Sequence, residues 1–193
     1  KVAVRSIKSK NPKNISSADR QEIAKCIESQ VNREFGKKQE APAIKRYESK
    51  QQASVGRRND KFYKRKIIRV DGHSIFVGGK VDGIKEDGTV IEVKNRMRRF
   101  FNPLPEYDIA QLQTYLFILD SSKGELVEQL KGNTVDIKTT EIDRDSAMWK
   151  SILEPRIICF SRAIIKLIND CELRKQFNDG DEYTRECIVN DLM

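Results

Sequence analysis

Apolar positions along the chain follow two different periods. From residue 17 to 35 the spacing is helical, with Ile23, Cys26, Ile27, Val31 and Phe35 on one stripe that should be buried. Ser16 or Ser17 suits an N-cap, because Asp19 follows in the first turn. Gly36 ends this helix or marks close packing. A second helix is expected from about 37 to 50, since Pro42 fits only the first turns of a helix. The period then shortens to two. Residues 62–70 and a stretch beginning at His73 read as strands joined by Asp71-Gly72, a two-residue hairpin signal. Residues 76–96 read as a further hairpin, whose first strand runs through Gly78, Gly79 and Asp82 and whose turn is Lys85-Glu86-Asp87-Gly88. On its second strand, 89–94, Val90, Glu92 and Lys94 share one face, while Ile91 and Val93 share the other.

Helical spacing returns over 106–120. There Ile109, Leu112, Leu116 and Leu119 form a core stripe, and Tyr107, Gln111 and Tyr115 recur on a different face. Two strands are expected at about 124–130 and 134–141, with Lys131-Gly132-Asn133 as the turn between them. A long helical region begins near 143, with Leu153, Ile157, Phe160, Ile164 and Leu167 on one face; Pro155 should kink it or start a new helix. A short helix near 182–192 closes the chain. This order predicts an α/β fold with a mixed central sheet of about five strands flanked by helices. A single domain over 1–193 is expected, with a basic arm at 1–15, a core at 16–141 and C-terminal helices at 142–193.

Charge changes this picture more than composition does. Residues 1–100 carry 26 Lys or Arg against 12 Asp or Glu, a balance of +14; the remaining 11 basic and 17 acidic residues give −6. A basic half suits a polyanionic partner, most simply nucleic acid, although a solvated lysine-rich surface has the same composition. Arg57, Arg58, Lys61, Lys64, Arg65 and Lys66 interleave with Phe62 and Tyr63, a pattern open to phosphate contact or to a protected edge strand. Arg96, Arg98 and Arg99 lie on an aromatic-tipped loop after the 89–94 strand, where binding or simple packing is equally compatible with the residues. The four cysteines show no C-x-x-C spacing and read as buried or free thiols of a reduced, intracellular protein. No stretch reaches the ~20 apolar residues of a membrane span, and no signal peptide is visible, so the expected location is the cytoplasm, the nucleus or another DNA-holding compartment.

The chemistry concentrates on the 76–96 hairpin. Asp82 can come alongside Glu92, with Lys94 two residues further on the same face. Two carboxylates can hold a hard divalent cation, and a lysine beside them can orient or deprotonate a water or neutralise a phosphate. Solvated charges on a surface hairpin are the plain alternative. His73, the one histidine, stands apart in sequence and reads as structural.

Asp82-Gly83 followed by Glu92-Val93-Lys94 resembles the core motif of the PD-(D/E)XK nuclease superfamily, with Val81 where the signature has proline. Gly36, Glu40, Ala43 and Tyr47 resemble a helix of the lambda-exonuclease-like branch, in which a glutamate reaches the metal site. Ala110-Gln111-x-Gln113 and Gln111-x-x-x-Tyr115 resemble the helix after the E-x-K strand in lambda-type and RecB-type enzymes. The matched motifs lie in family order across about residues 30–120. The resemblance implies a restriction-endonuclease-like core and a DNA nuclease of viral or phage type, most simply an exonuclease that resects duplex ends in recombination or repair. It implies one or two Mg²⁺ or Mn²⁺ ions held by Glu40, Asp82, Glu92 and the Val93 carbonyl, with Asp82, Glu92, Lys94 and Gln111 catalytic. Arg33, Arg57, Arg58, Lys64, Arg65, Arg96, Arg98, Arg99, Gln113 and Tyr115 are the expected nucleic-acid contacts. DNA ends or single strands, a recombination or annealing protein and further copies of the chain are the expected partners, and no membrane. A structure-specific or RNA-directed endonuclease and a non-catalytic nucleic-acid-binding module are the alternatives. The cysteines also resemble, in their one-early, three-late order, the iron–sulfur set of some RecB-like exonucleases, but their gaps of 12 and 16 residues are wider.

Because neutralised phosphates release counterions, affinity for nucleic acid should fall steeply and linearly in a plot of log K against log salt. Fluorescence anisotropy with a labelled oligonucleotide across a salt series measures the slope, and a flat response would exclude the basic half as the binding surface.

Overall fold

The computed structural model describes residues 15–58, 60–130 and 136–193. The arm at 1–14 and the turn expected at 131–133 lie outside them. Helix α1 (Ser17–Gln51) leads to β1 (Val55–Gly56), β2 (Tyr63–Val70), β3 (His73–Gly79), β4 (Gly83–Lys85) and β5 (Val90–Arg96). Then come α2 (Glu106–Leu119), β6 (Lys123–Leu130) and β7 (Ile137–Asp143). A short turn α3 (Ser146–Met148) and a π-helical turn (Trp149–Leu153) precede α4 (Glu154–Asn169), α5 (Cys171–Asp179) and α6 (Glu182–Leu192). No helix among the described residues is long and apolar enough to cross a membrane.

The sheet has five strands in the order β1-β4-β5-β6-β7, and β2 and β3 form a separate two-stranded sheet. Strands β1 and β4, and β4 and β5, pair antiparallel. Bonds from Arg144 N–H to the Ser122 carbonyl and from Leu130 N–H to the Asp136 carbonyl bracket β6 and β7, so these strands are also antiparallel. Helix α2 is the crossover between β5 and β6, which sets those two parallel and makes the sheet mixed. The expected α/β class and five-stranded sheet are therefore present. The Asp71-Gly72 turn also forms, with φ of 47° and 82°, both in the left-handed region that a two-residue hairpin of this kind demands.

Contacts group the chain into two units. One comprises Lys1–Ala53, Val93–Phe100 and Val127–Thr139; the other comprises Ser54–Glu92, Phe101–Leu126 and Thr140–Met193. Strands β5, β6 and β7 supply residues to both.

In the first unit, α1 corrects the expectation of two helices. It is one 35-residue helix, capped by Ser16, whose hydroxyl accepts from the Asp19 N–H at 3.1 Å, and it passes through both Gly36 and Pro42. A proline inside a helix removes one main-chain bond at a cost of about 3 kcal/mol. Ala43, Ile44 and Tyr47, directly after it, are all buried, and that packing offsets the loss. The stripe expected over 17–35 is not a core stripe: Ile23 and Val31 are 41% and 52% exposed and Cys26 is on the surface, leaving Ala24 as the buried residue of that half. Helical periodicity marks an apolar face but does not say whether anything covers it.

In the second unit, Val81, Ile84, Val90, Leu112, Leu116 and Leu126 form the core, with Tyr63, Leu104, Tyr115, Leu119 and Ile142 packed around them. The α2 stripe thus lies on the sheet as its spacing requires. Phe117, on another side of α2, stacks on Trp149 with ring centroids 3.7 Å apart. Pro155 sits in the first turn of α4, directly after the π-helical turn, so a new helix starts there. The apolar face expected to be buried on α4 is rotated. Phe160 and Ile164 are 55% and 39% exposed, and Ser161, Ala163 and Ile165 are buried in their place. Small residues permit closer approach than the bulkier face would. The cysteines are unpaired thiols; Cys26, Cys171 and Cys187 are exposed.

Leu116→Ala should lower stability by about 2–5 kcal/mol, because a fully buried side chain leaves a cavity. Val31→Ser should change it by under about 0.5 kcal/mol. Urea unfolding of both variants checks the pair; a large loss at Val31 would mean that this face is covered.

Candidate functional site

The β4–β5 ladder sets Gly83 opposite Ile91 and Ile84 opposite Val90. One step further, the same register sets Asp82 opposite Glu92. The strand expected to run unbroken through Gly78, Gly79 and Asp82 does not exist as such. Strand β3 belongs to the two-stranded sheet and ends at Gly79, and the chain joins the five-stranded sheet only at Gly83. Asp82 occupies the bend between them. This break places its carboxyl at the head of β4, beside the middle of β5.

Both carboxylates are buried, Asp82 at 9% exposure and Glu92 at 4%. Two buried like charges side by side are unfavourable unless a cation or hydrogen-bond donors compensate them. Among the described residues, no group of three or more His, Cys, Asp or Glu side chains is gathered for a metal ion. The oxygens of the two carboxylates match the preference of a hard cation that keeps several waters.

Helix α2 packs Leu112 and Leu116 against Val90, and by strand alternation Val90 shares its face of β5 with Glu92 and Lys94. Gln111 is half-buried on α2, and its side-chain amide donates to the Tyr115 hydroxyl at 3.3 Å. Gln111 and Tyr115 are therefore joined to each other on the helix that covers this face.

Val93 and Lys94 continue β5 into the other unit. There the Asn95 amide donates to the Gly36 carbonyl of α1 at 3.2 Å, and Gln129 donates to Asn95 Oδ1 at 3.1 Å. Arg46 in turn donates to Gln129 Oε1 at 2.6 Å. Glu40 is half-buried one helical turn beyond Gly36, so the turn of α1 that carries it is tied to the end of β5 that carries Lys94.

Several expected nucleic-acid contacts are held by internal partners. Arg96 donates to Glu128 Oε1 at 2.8 Å, and its side chain is only 10% exposed. Arg65 donates to the Phe117 carbonyl at 2.6 Å and lies over the Phe117 ring at 4.5 Å, with Asp120 at 3.3 Å. Arg144 first and Arg65 second hold the Asp120 carboxyl below the usual carboxylate range. Gln113 is buried; its amide donates to the Asp143 carbonyl and its oxygen accepts from the Asp145 N–H, both at 2.8 Å. Arg58 donates to the Val55 carbonyl at 2.9 Å. Arg33, Arg57, Lys64, Arg98 and Arg99 are exposed.

Strand β6 carries polar residues that sequence reasoning passed over. Glu128 is fully buried between Arg96 and Lys138, the latter 3.8 Å away, and Glu125 pairs with Lys85 at 2.6 Å. Their signal was available: an inner strand with two glutamates needs cations nearby, and Arg96 on β5 and Lys138 on β7 stand on the strands beside it.

No protein-family model matches the chain, and no curated protein matches it. Solved structures do resemble it. An alkaline exonuclease from Laribacter hongkongensis, LHK-Exo, superposes with a TM-score of 0.54 at 16% identity, over 86% of this chain and 90% of that one. The protein SSO0001 superposes with a TM-score of 0.52 at 22% identity, over 76% of this chain and 67% of that one. At these identities the likeness is one of fold: the chain has the mixed α/β fold of an alkaline exonuclease.

Glu128→Ala should cost about 3–5 kcal/mol, because Arg96 is left buried without its counter-charge. Replacing both residues, Arg96→Met with Glu128→Leu, should recover most of that loss. Urea unfolding of the single and double variants measures both; equal loss in the two would place the importance in shape, not in charge pairing.

Proposed function

We propose that this protein is a metal-dependent nuclease that hydrolyses phosphodiester bonds in DNA, most simply an exonuclease resecting duplex ends. One observation carries the reading: two buried carboxylates, Asp82 directly before the β4–β5 ladder and Glu92 one residue past the Gly83–Ile91 pair, with Lys94 two residues along the same strand face. Exposed solvated charges would not need that burial. The fold shared with LHK-Exo supports the same class.

In this reading Asp82, Glu92 and the Val93 carbonyl hold Mg²⁺ or Mn²⁺, one or two ions, with water filling the remaining positions. Glu40 is proposed as a further carboxylate from its place in the motif order. A bound ion supplies Lewis-acid polarisation of the phosphate. Lys94 orients the attacking water or takes its proton, and the Gln111–Tyr115 pair positions the scissile phosphate or holds Lys94. Arg33, Arg57, Lys64, Arg98 and Arg99 contact the DNA backbone, and a recombination or annealing protein is the proposed partner.

Asp82→Asn and Glu92→Gln should abolish cleavage of end-labelled linear DNA in Mg²⁺ while binding persists, and EDTA should do the same to the unmodified protein. Lys94→Ala should stop cleavage with metal affinity retained, since an ammonium is not a ligand. Glu40→Gln should raise the Mg²⁺ concentration needed. Glu86→Gln, in the turn of the same hairpin, should cleave normally. Normal cleavage by Lys94→Ala would remove this reading, and cleavage of covalently closed circles would replace the exonuclease with an endonuclease.

A further inference from the structure

The β2–β3 hairpin has two unlike faces. Its inner face is occupied: Tyr63 packs on the core, and Arg65 is bonded at the end of α2. Cross-strand pairing puts Lys64 opposite Gly78, Lys66 opposite Phe76 and Arg69 opposite Ser74, so these six positions share the outer face. Phe62, one residue before β2, alternates onto it as well. Phe62 and Phe76 are 58% and 51% exposed on the same small sheet. The Phe62 ring lies across β3 at Gly78, two residues from Phe76: a Cβ there would stand 2.8 Å from the ring, so the glycine leaves it room. The Lys64 ammonium sits over the Phe76 ring, 5.3 Å from its centroid.

Charge decides what covers this face. Residues 61–80 contain Lys61, Lys64, Arg65, Lys66, Arg69 and Lys80 against a single acid, Asp71 at the hairpin tip. An apolar protein partner or a second copy would have to bury those ammonium groups beside the rings. Flat aromatic rings between cations instead match a ligand that alternates flat rings with negative charges. We infer that the outer face of the β2–β3 hairpin is a stacking platform for single-stranded nucleic acid. Phe62 and Phe76 stack against bases, and Lys64, Lys66 and Arg69 follow the phosphates. Duplex DNA cannot use the rings, because its base faces are already stacked. Strand β3 ends three residues before Asp82, so a strand held here leads toward the carboxylate pair. That last point rests on the nuclease reading; the binding does not.

The test is anisotropy titration of the full chain in EDTA, so that cleavage plays no part. The probes are a labelled oligo(dT) and an abasic oligomer of the same length, which keeps the phosphates and lacks the bases. Phe62→Ala with Phe76→Ala should weaken oligo(dT) binding by about tenfold or more per ring and leave the abasic oligomer unchanged. Phe62→Leu with Phe76→Leu keeps apolar bulk, guards against misfolding and should show the same selective loss. Lys64→Gln with Lys66→Gln should weaken both probes. The inference fails if the ring variants bind oligo(dT) normally, or if they lose equally on both probes. It also fails if sedimentation shows that the rings hold two copies together while oligo(dT) binding is untouched. A protein that never cleaves DNA yet shows the ring-dependent preference would retain the platform and lose the nuclease.

Discussion

Two carboxylates held out of water, one in the bend before β4 and one on β5, are the constraint that gives the structure its sense. Asp82 and Glu92 come together because β4 and β5 pair in one register, and a slip of one residue would turn Glu92 to the opposite face. That register is fixed by Val90 under Leu112 and Leu116, so the α2 core indirectly positions the acids. Burying such groups lowers stability, and proteins retain that arrangement where the groups act.

A second set of buried charges does different work. Glu128 lies between Arg96 and Lys138, and Asn95 and Gln129 link the end of β5 to α1. These ion pairs and hydrogen bonds tie the strands and the helix together, so this network specifies geometry.

Much of this was legible in the residues. Period-two stretches and D-G turns located most strands, and the Leu112–Leu116 stripe located the core. Alternation on β5 put Glu92 and Lys94 together. Three things were not legible. Helical spacing at Ile23 and Val31 shows amphipathicity but cannot reveal whether a partner surface exists. Gly36 and Pro42 lower local helix propensity, yet the burial of Ile44 and Tyr47 overrides them, and the same stretch is tied by Arg46 to Gln129, 83 positions away along the chain. The arginines looked alike in sequence, but Arg65 and Arg96 face internal acceptors while Arg57 and Arg98 face solvent. Charge type is written in the sequence; the address of each charge is set by the fold.

The chain holds one tryptophan, Trp149, and its place has an optical consequence. Its indole lies flat on Phe117, whose ring also meets the Arg65 guanidinium, all within the second contact unit. Helix α1, the longest helical segment described, belongs to the first. Intrinsic fluorescence therefore reports on one unit, while far-ultraviolet dichroism sums the helices of both. Coincident transitions in the two signals mean that the strands shared by both units melt as one cooperative body; separated transitions mean that the molecule comes apart along β5, β6 and β7.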